Sequence, residues 1–169
     1  RKAVAASKRN VLIARRYIDS LEAGGGTNML PAIRAALNDQ DDHSILRQVI
    51  FITDGAVSNE SEMFQEVSTR LGSTRLFTVG IGSAPNQHFM RWAAKFGRGT
   101  FTFIGNLNKA ESRMKELWQK LSTPVVTDIS IKSKLDDFIE AYPDSIPDLF
   151  MGEPVVFTFK APPELKTLK

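Results

Sequence analysis

Val49-Ile50-Phe51-Ile52-Thr53-Asp54-Gly55 is the stretch on which the fold turns. Four consecutive apolar residues, three of them β-branched, run into Thr53 and stop at an Asp-Gly breaker. An unbroken run of this kind predicts a strand buried on both faces, as in a parallel sheet covered by helices. Asp54 then stands at the carboxyl end of the strand, where open α/β sheets place their ligands.

Working outward, helical periodicity alternates with further short apolar runs. Val11, Ala14, Ile18 and Leu21 repeat at spacings of three and four and predict a helix with one buried stripe, stopped by Gly24-Gly25-Gly26. Leu30, Ile33 and Leu37 predict a second helix, opened by Thr27 or Asn28 as N-cap with Pro31 in its first turn. Met63, Phe64, Val67 and Leu71 mark a third, with Asn59 and Glu62 spaced as a capping box. Arg75–Gly80 reads as the next strand. Phe89, Met90, Ala93 and Phe96 follow a Pro85-Asn86 helix start, Thr100–Ile104 is a third strand, and Met114, Leu117, Trp118 and Leu121 form a last helix capped near Asn108. This alternation implies right-handed crossovers and a parallel sheet.

The pattern changes at Pro124. Val125–Ile131 and Val155–Phe159 alternate like half-buried antiparallel strands, and the Pro- and Asp-rich residues 142–152 between them read as an ordered loop. Two such strands do not make an independent domain. The expected division is therefore an α/β unit over 1–122 and a β-rich tail, or the start of a following β module, over 123–169.

Composition narrows the chemistry. The 169 residues are 42% hydrophobic and include no cysteine, which excludes disulfides, thiolate metal sites and cysteine nucleophiles. The net charge of +3 comes from 22 Lys and Arg against 19 Asp and Glu, too small an excess to predict nucleic-acid binding. No apolar run approaches the roughly 20 residues that span a bilayer, so no direct membrane insertion is expected of this stretch. The chain begins with Arg, which suggests a piece of something longer.

Two features could carry a site. Asp54 is either a turn former or a ligand to something cationic. Gly24-Gly25-Gly26-Thr27-Asn28 is either a helix stop followed by an N-cap or a loop that lets the backbone approach a ligand. No Lys stands in a phosphate-loop arrangement, and Pro85 replaces the third glycine that Gly80-Ile81-Gly82 would need as a dinucleotide fingerprint. Together, a Thr hydroxyl and an Asp carboxylate offer the oxygen ligands that hard cations prefer. The two histidines, His43 and His88, read as surface residues. Neither has an obvious Ser partner, and Asp41-Asp42 and Asp136-Asp137 read as solvated turns, so the chain is not expected to be an enzyme.

GGGTN at 24–28, VIFITDG at 49–55, VGIG at 79–82 and IPDLFMGEP at 146–154, in this order, resemble a von Willebrand factor type A domain, of the kind found in bacterial proteins related to the inter-alpha-trypsin inhibitor heavy chains. The resemblance implies an α/β fold with a partial Rossmann-like doubly wound parallel sheet over residues 8–122, followed by the short β-rich tail. It further implies a metal-ion-dependent adhesion site, in which Thr27 and Asp54 match two of the cation's ligands and the cation is Mg²⁺, or Mn²⁺ or Ca²⁺. The partner would be a protein presenting a carboxylate, and the location an exported one, on the bacterial envelope or surface.

The DxSxS motif that completes such a site is absent. Asp128-Ile129-Ser130-Ile131-Lys132 is the nearest approximation, but it lies after the sheet and has Lys in the place of the second Ser. The expectation is a domain whose first strands precede Arg1, weak or no cation binding by the chain alone, and an exposed apolar edge at 49–53 that two copies cover by pairing. A structural spacer without a working metal site and, less favoured, a metal-assisted hydrolase are the alternative functions.

Overall fold

The computed structural model describes residues 4–22, 24, 28–38, 46–55, 59–83, 85–123, 125–130, 140–142, 146–152 and 154–160. The three expected strands are present as β1 (Gln48–Thr53), β2 (Arg75–Ile81) and β3 (Arg98–Ile104), all parallel, in the order β1-β2-β3. Helices α1 (Lys8–Asp19), α2 (Met29–Leu37), α3 (Glu60–Arg70), α4 (Gln87–Phe96) and α5 (Ala110–Leu121) accompany them. Two short strands, β4 (Glu140–Tyr142) and β5 (Thr158–Lys160), pair antiparallel in the tail. The α/β class and the doubly wound arrangement expected from the sequence are both present. No helix among the described residues is long and apolar enough to cross a membrane.

Alternation along the strands builds the two layers. Leu76, Val49, Phe51 and Phe101 face the side covered by α2, α3 and α4, against Met29, Ile33, Met63, Val67, Phe89, Met90 and Ala93. Phe77, Val79, Ile104 and Ile50 face the other side, against Leu117, Met114 and Leu121 of α5. Both faces of β2 are thereby closed, and its Phe77, Thr78 and Val79 have no exposure at all. Thr78 is polar in this setting, and its hydroxyl donates to the Met90 carbonyl at 2.8 Å, which satisfies it.

The fully enclosed strand is thus β2, not β1. Val49, Ile50 and Phe51 are only half-buried and Ile52 is 51% exposed, because β1 has a strand neighbour on one side alone among the described residues. A second correction concerns α1. Its predicted stripe is there, but no residue of the helix is buried, and Val11, Ile18 and Leu21 are 42%, 63% and 59% exposed. Periodicity reports that a helix has an apolar face; it does not supply the surface that covers it. The helix also ends at Asp19, before the glycines, with the Ser20 amide donating to the Arg16 carbonyl.

Caps were legible to differing degrees. Asn86 caps α4 as expected, accepting from the Phe89 amide at 3.0 Å. Asn28 occupies the cap position of α2 without a capping bond. The capping box on α3 does not form: Asn59 is left-handed, with φ of 63°, and Glu62 turns instead to Arg34 of α2 at 3.1 Å. Ahead of α5, Asn106 accepts from the Asn108 amide and caps a 3-10 turn at Leu107–Lys109, while α5 itself starts after Lys109 without a side-chain capping bond.

The tail departs most from expectation. Within 125–130 there is no continuous strand, only an isolated antiparallel bridge from Val126 to Leu149, and Ile131 lies outside the described residues. The predicted strand at 155–159 is shifted to 158–160. What holds the tail is a side-chain anchor in the supposed loop. Asp148 meets Arg75 at the start of β2, with Nη2 donating to Oδ1 at 3.2 Å and Nε to Oδ2, and both side chains are almost wholly buried. Two residues on, Phe150 is buried edge-on to Phe77, centroids 5.6 Å apart, beneath the Lys120 ammonium at 4.6 Å.

Removing one partner of a buried ion pair strands the other charge in a low-dielectric site. Asp148→Ala is accordingly expected to lower unfolding stability by about 3–5 kcal/mol, and Phe150→Ala by a similar ~3–5 kcal/mol. Urea unfolding of each variant measures this, and losses under about 1 kcal/mol would show that the tail is not anchored here.

A surface clip joins α2 to α3. Arg34 donates to Glu66 at 2.8 Å, and Glu66 also receives Arg70, so these hydrogen bonds hold the Glu66 carboxyl below its ordinary range. A lowered folded-state pKa gives stability that is fully present above the unfolded value and disappears as pH falls through the folded one. Glu66→Gln should therefore be less stable than the parent near neutral pH, and the difference should shrink as pH falls below the ordinary carboxylate range and through the lowered folded-state value. Thermal melts at neutral and acid pH check the sign.

Candidate functional site

The carboxyl ends of the parallel strands define the rim where a ligand would sit. At the end of β1, Thr53 is buried and its hydroxyl accepts from the Gly55 amide at 3.2 Å, a local turn that bends the chain away from the sheet. Asp54 stands on that bend, exposed, and makes no ion pair with another described residue. Among the described residues the turn bond here belongs to Thr53, not to Asp54. Its carboxylate is presented to solvent as an anionic oxygen donor.

Thr27, the other expected ligand, lies outside the described residues together with Gly25 and Gly26. The described flanks are Gly24 and Asn28, the latter directly preceding α2. Among the described residues no group of three or more His, Asp or Glu side chains gathers as a metal cage would require.

At the end of β2, Gly80 and Ile81 still belong to the strand, and the bend begins only at Gly82. Gly82 has φ of +83° and donates its amide to the Ile104 carbonyl at 2.9 Å, so that donor is not turned toward a phosphate. Gly80 lacks a Cβ for a packing reason: one would come within 2.9 Å of the Pro85 ring.

Residues that sequence reasoning did not bring together meet at the helix starts beyond this rim. Glu60, first in α3, accepts from the Asn86 side-chain amide and lies 3.6 Å from Nδ1 of His88. His88 remains 79% exposed at its side chain, consistent with a surface histidine, and its ring stands edge-on to Phe64. The signal for this contact was only that Glu60 and His88 each open a helix on the same rim of the sheet. His43, Asp41, Asp42, Asp136 and Asp137 lie outside the described residues.

Asp128 sits elsewhere. It has φ of 57°, faces Arg98 at 3.7 Å and accepts from Thr127 at 3.1 Å. Arg98 begins β3, so Asp128 occupies the opposite rim from Asp54 and does not join it. A cavity of about 1030 Å³ runs along β3 and α5 past Thr100, Phe103, Lys120 and Met151. Lys120 donates to the Thr100 hydroxyl at 3.2 Å and Arg113 pairs with Glu116 at 3.0 Å, an arrangement without a nucleophile and base in contact.

Because Asp54 is exposed and makes no bond or ion pair with another described residue, Asp54→Ala should leave thermal stability within about 0.5 kcal/mol of the parent. A larger loss in a melting experiment would mean that the carboxylate supports the fold instead of standing free for a ligand.

Comparison with known proteins gives consistent likenesses. The sequence model described as a von Willebrand factor type A domain matches residues 1–103. A von Willebrand factor A domain-containing protein of Dictyostelium discoideum is 31% identical over 72% of this chain and 13% of its own length. The mouse von Willebrand factor A domain-containing protein 5B1 is 29% identical over 90% of this chain and 13% of its own. Pig inter-alpha-trypsin inhibitor heavy chain H2 is 24% identical over 95% of this chain and 19% of its own. The chain thus spans less than a fifth of these relatives. In structure it resembles a von Willebrand factor type A protein from Catenulispora acidiphila, with a TM-score of 0.62 at 18% identity over 85% of this chain and 36% of that one.

Proposed function

The chain belongs to the von Willebrand factor type A domain family, whose members generally mediate protein–protein interaction, and we propose that it binds an acidic group of a partner protein through a divalent cation, with Thr27 and Asp54 among the cation's ligands. The observation that carries this reading is the placement of Asp54: an exposed carboxylate on the carboxyl end of a parallel strand, with its neighbour Thr53 taking the turn bond.

The donor chemistry suits a hard cation. A carboxylate and a hydroxyl are oxygen donors, and Mg²⁺ or Mn²⁺ accepts such ligands while keeping several waters. When bound, the cation supplies an electrophilic position that a partner's carboxylate can occupy. Asp54 contributes the charge, and its position on a bend next to the buried Thr53 restricts the directions from which it can approach an ion. Two protein oxygens leave most of an octahedral shell to water, so affinity of the chain alone for Mg²⁺ is weak.

The test is titration with Mn²⁺ followed by NMR line broadening. The amides of Thr53, Asp54 and Gly55 should broaden in the parent protein at millimolar metal, and this effect should vanish in Asp54→Ala. Equal broadening in both proteins, or none in either, would refute cation binding at Asp54 and leave the structural-spacer reading. Turnover of a generic phosphate or ester substrate that Asp54→Ala abolishes would instead favour a metal-assisted hydrolase.

A further inference from the structure

We propose that the outer edge of β3, with the groove between it and α5, takes up an extended acidic segment of a partner protein as an added strand. β3 bounds the sheet on the side away from β1, and so away from Asp54. The Ile104 carbonyl accepts from the Gly82 amide, and Phe101 and Phe103 lie opposite Thr78 and Gly80. Backbone groups of successive residues in a parallel ladder point to alternate sides. Those of Thr102 and Ile104 therefore face β2, and those of Phe101 and Phe103 face outward. Among the described residues no strand receives them.

Space for a guest's side chains lies beside that edge. On the α5 side, Thr100 and Thr102 line the cavity of about 1030 Å³, whose far wall carries Arg113, Glu116 and Lys120. On the α4 side, Phe101 and Phe103 lie with ring centroids 6.4 Å apart, Phe103 is 41% exposed, and the Arg91 guanidinium stands 4.9 Å from the Phe101 ring. A strand laid along β3 would set every second side chain into the cavity and the others beside these rings.

Charge selects the occupant. Residues 87–123, which build α4, β3 and α5, contain seven Lys and Arg against two Glu, a net charge of +5 in a chain whose total is +3. The positive excess of the molecule is thus gathered around this one edge, and the remainder is slightly acidic. Carboxylates at alternate positions of a guest would meet Arg113 and Lys120 on one face or Arg91 on the other. A nucleic acid would satisfy the charge alone. An extended peptide satisfies both the charge and the outward amides and carbonyls of Phe101 and Phe103, which is why the peptide is the better fit.

Because no cation takes part, the test is run with EDTA present and its outcome is independent of Asp54. Fluorescence anisotropy with a labelled octapeptide alternating Glu and Val should show saturable binding that weakens as salt is added. Arg113→Glu, a charge reversal on the exposed face of α5, should weaken it about fivefold or more with an unchanged circular dichroism spectrum. N-methylation keeps the peptide's charge and removes ladder donors. Of two such peptides, methylated at every Glu or at every Val, at least one should bind about tenfold more weakly. In NMR spectra the amides of Phe101 and Phe103 should shift on binding, while those of Thr53, Asp54 and Gly55 stay in place. No saturable binding, equal binding of a Lys-Val octapeptide, full binding of both methylated peptides, shifts that spare Phe101 and Phe103, or displacement by a single-stranded oligonucleotide that binds more tightly would each overturn the proposal.

Discussion

Burial of β2 on both faces is the constraint from which the rest of the arrangement follows. Its alternate residues are shared between two apolar layers, Leu76 on one side and Phe77 and Val79 on the other. A strand enclosed in this way has to find every backbone partner in its own sheet, because water cannot reach it. The parallel ladders to β1 and β3 supply those partners, and the helices are placed by the need to cover both faces. Gly99 shows how tight the joint is. A Cβ there would fall on the Leu76 carbonyl, at the point where the β2–β3 register shifts.

The same strand also receives the tail. Arg75 is the first residue of β2 and almost wholly buried, a position that a guanidinium tolerates only with a carboxylate and further acceptors. Asp148 provides the carboxylate and the Ser73 carbonyl, at 2.7 Å, a further acceptor. Phe150 then completes the layer that α5 begins, between Phe77 and Lys120. Sheet, last helix and tail thus meet at one end of β2, while Asp54 stands at the opposite rim. Arg75 and Asp148 are engaged at one rim, whereas Asp54 at the other makes no ion pair with another described residue.

Much of this was legible in the residues. The apolar run before Asp54, the two strands that follow and the Asn86 cap are all local signals, and local signals survive folding. The burial of β1 and of α1 was not legible, since Ile52 and Ile18 carry the right chemistry but burial depends on what lies beside them. The Asp148–Arg75 pair was missed for a similar reason: the two residues are 73 positions apart, and Arg75 reads as an ordinary strand-edge cation until the sheet encloses it. The tail misled through its alternation, which fits a strand at 125–131 although only Val126 pairs among the described residues. Of the site, Asp54 could be read from its place after a strand. Its surroundings could not, because the contact of Glu60 with Asn86 and His88 depends on how two helix starts are juxtaposed.

The bridge from Val126 to Leu149 has a topological consequence. It ties the chain at both ends of the stretch 127–148, so this stretch is a closed excursion whose feet are held beside α5 and β2. Lengthening a closed excursion is thermodynamically mild, since each doubling costs only about 0.6 kcal/mol of closure entropy. Added length in that excursion, away from Asp148 and from β4 with its partner β5, should therefore leave the α/β body as it is.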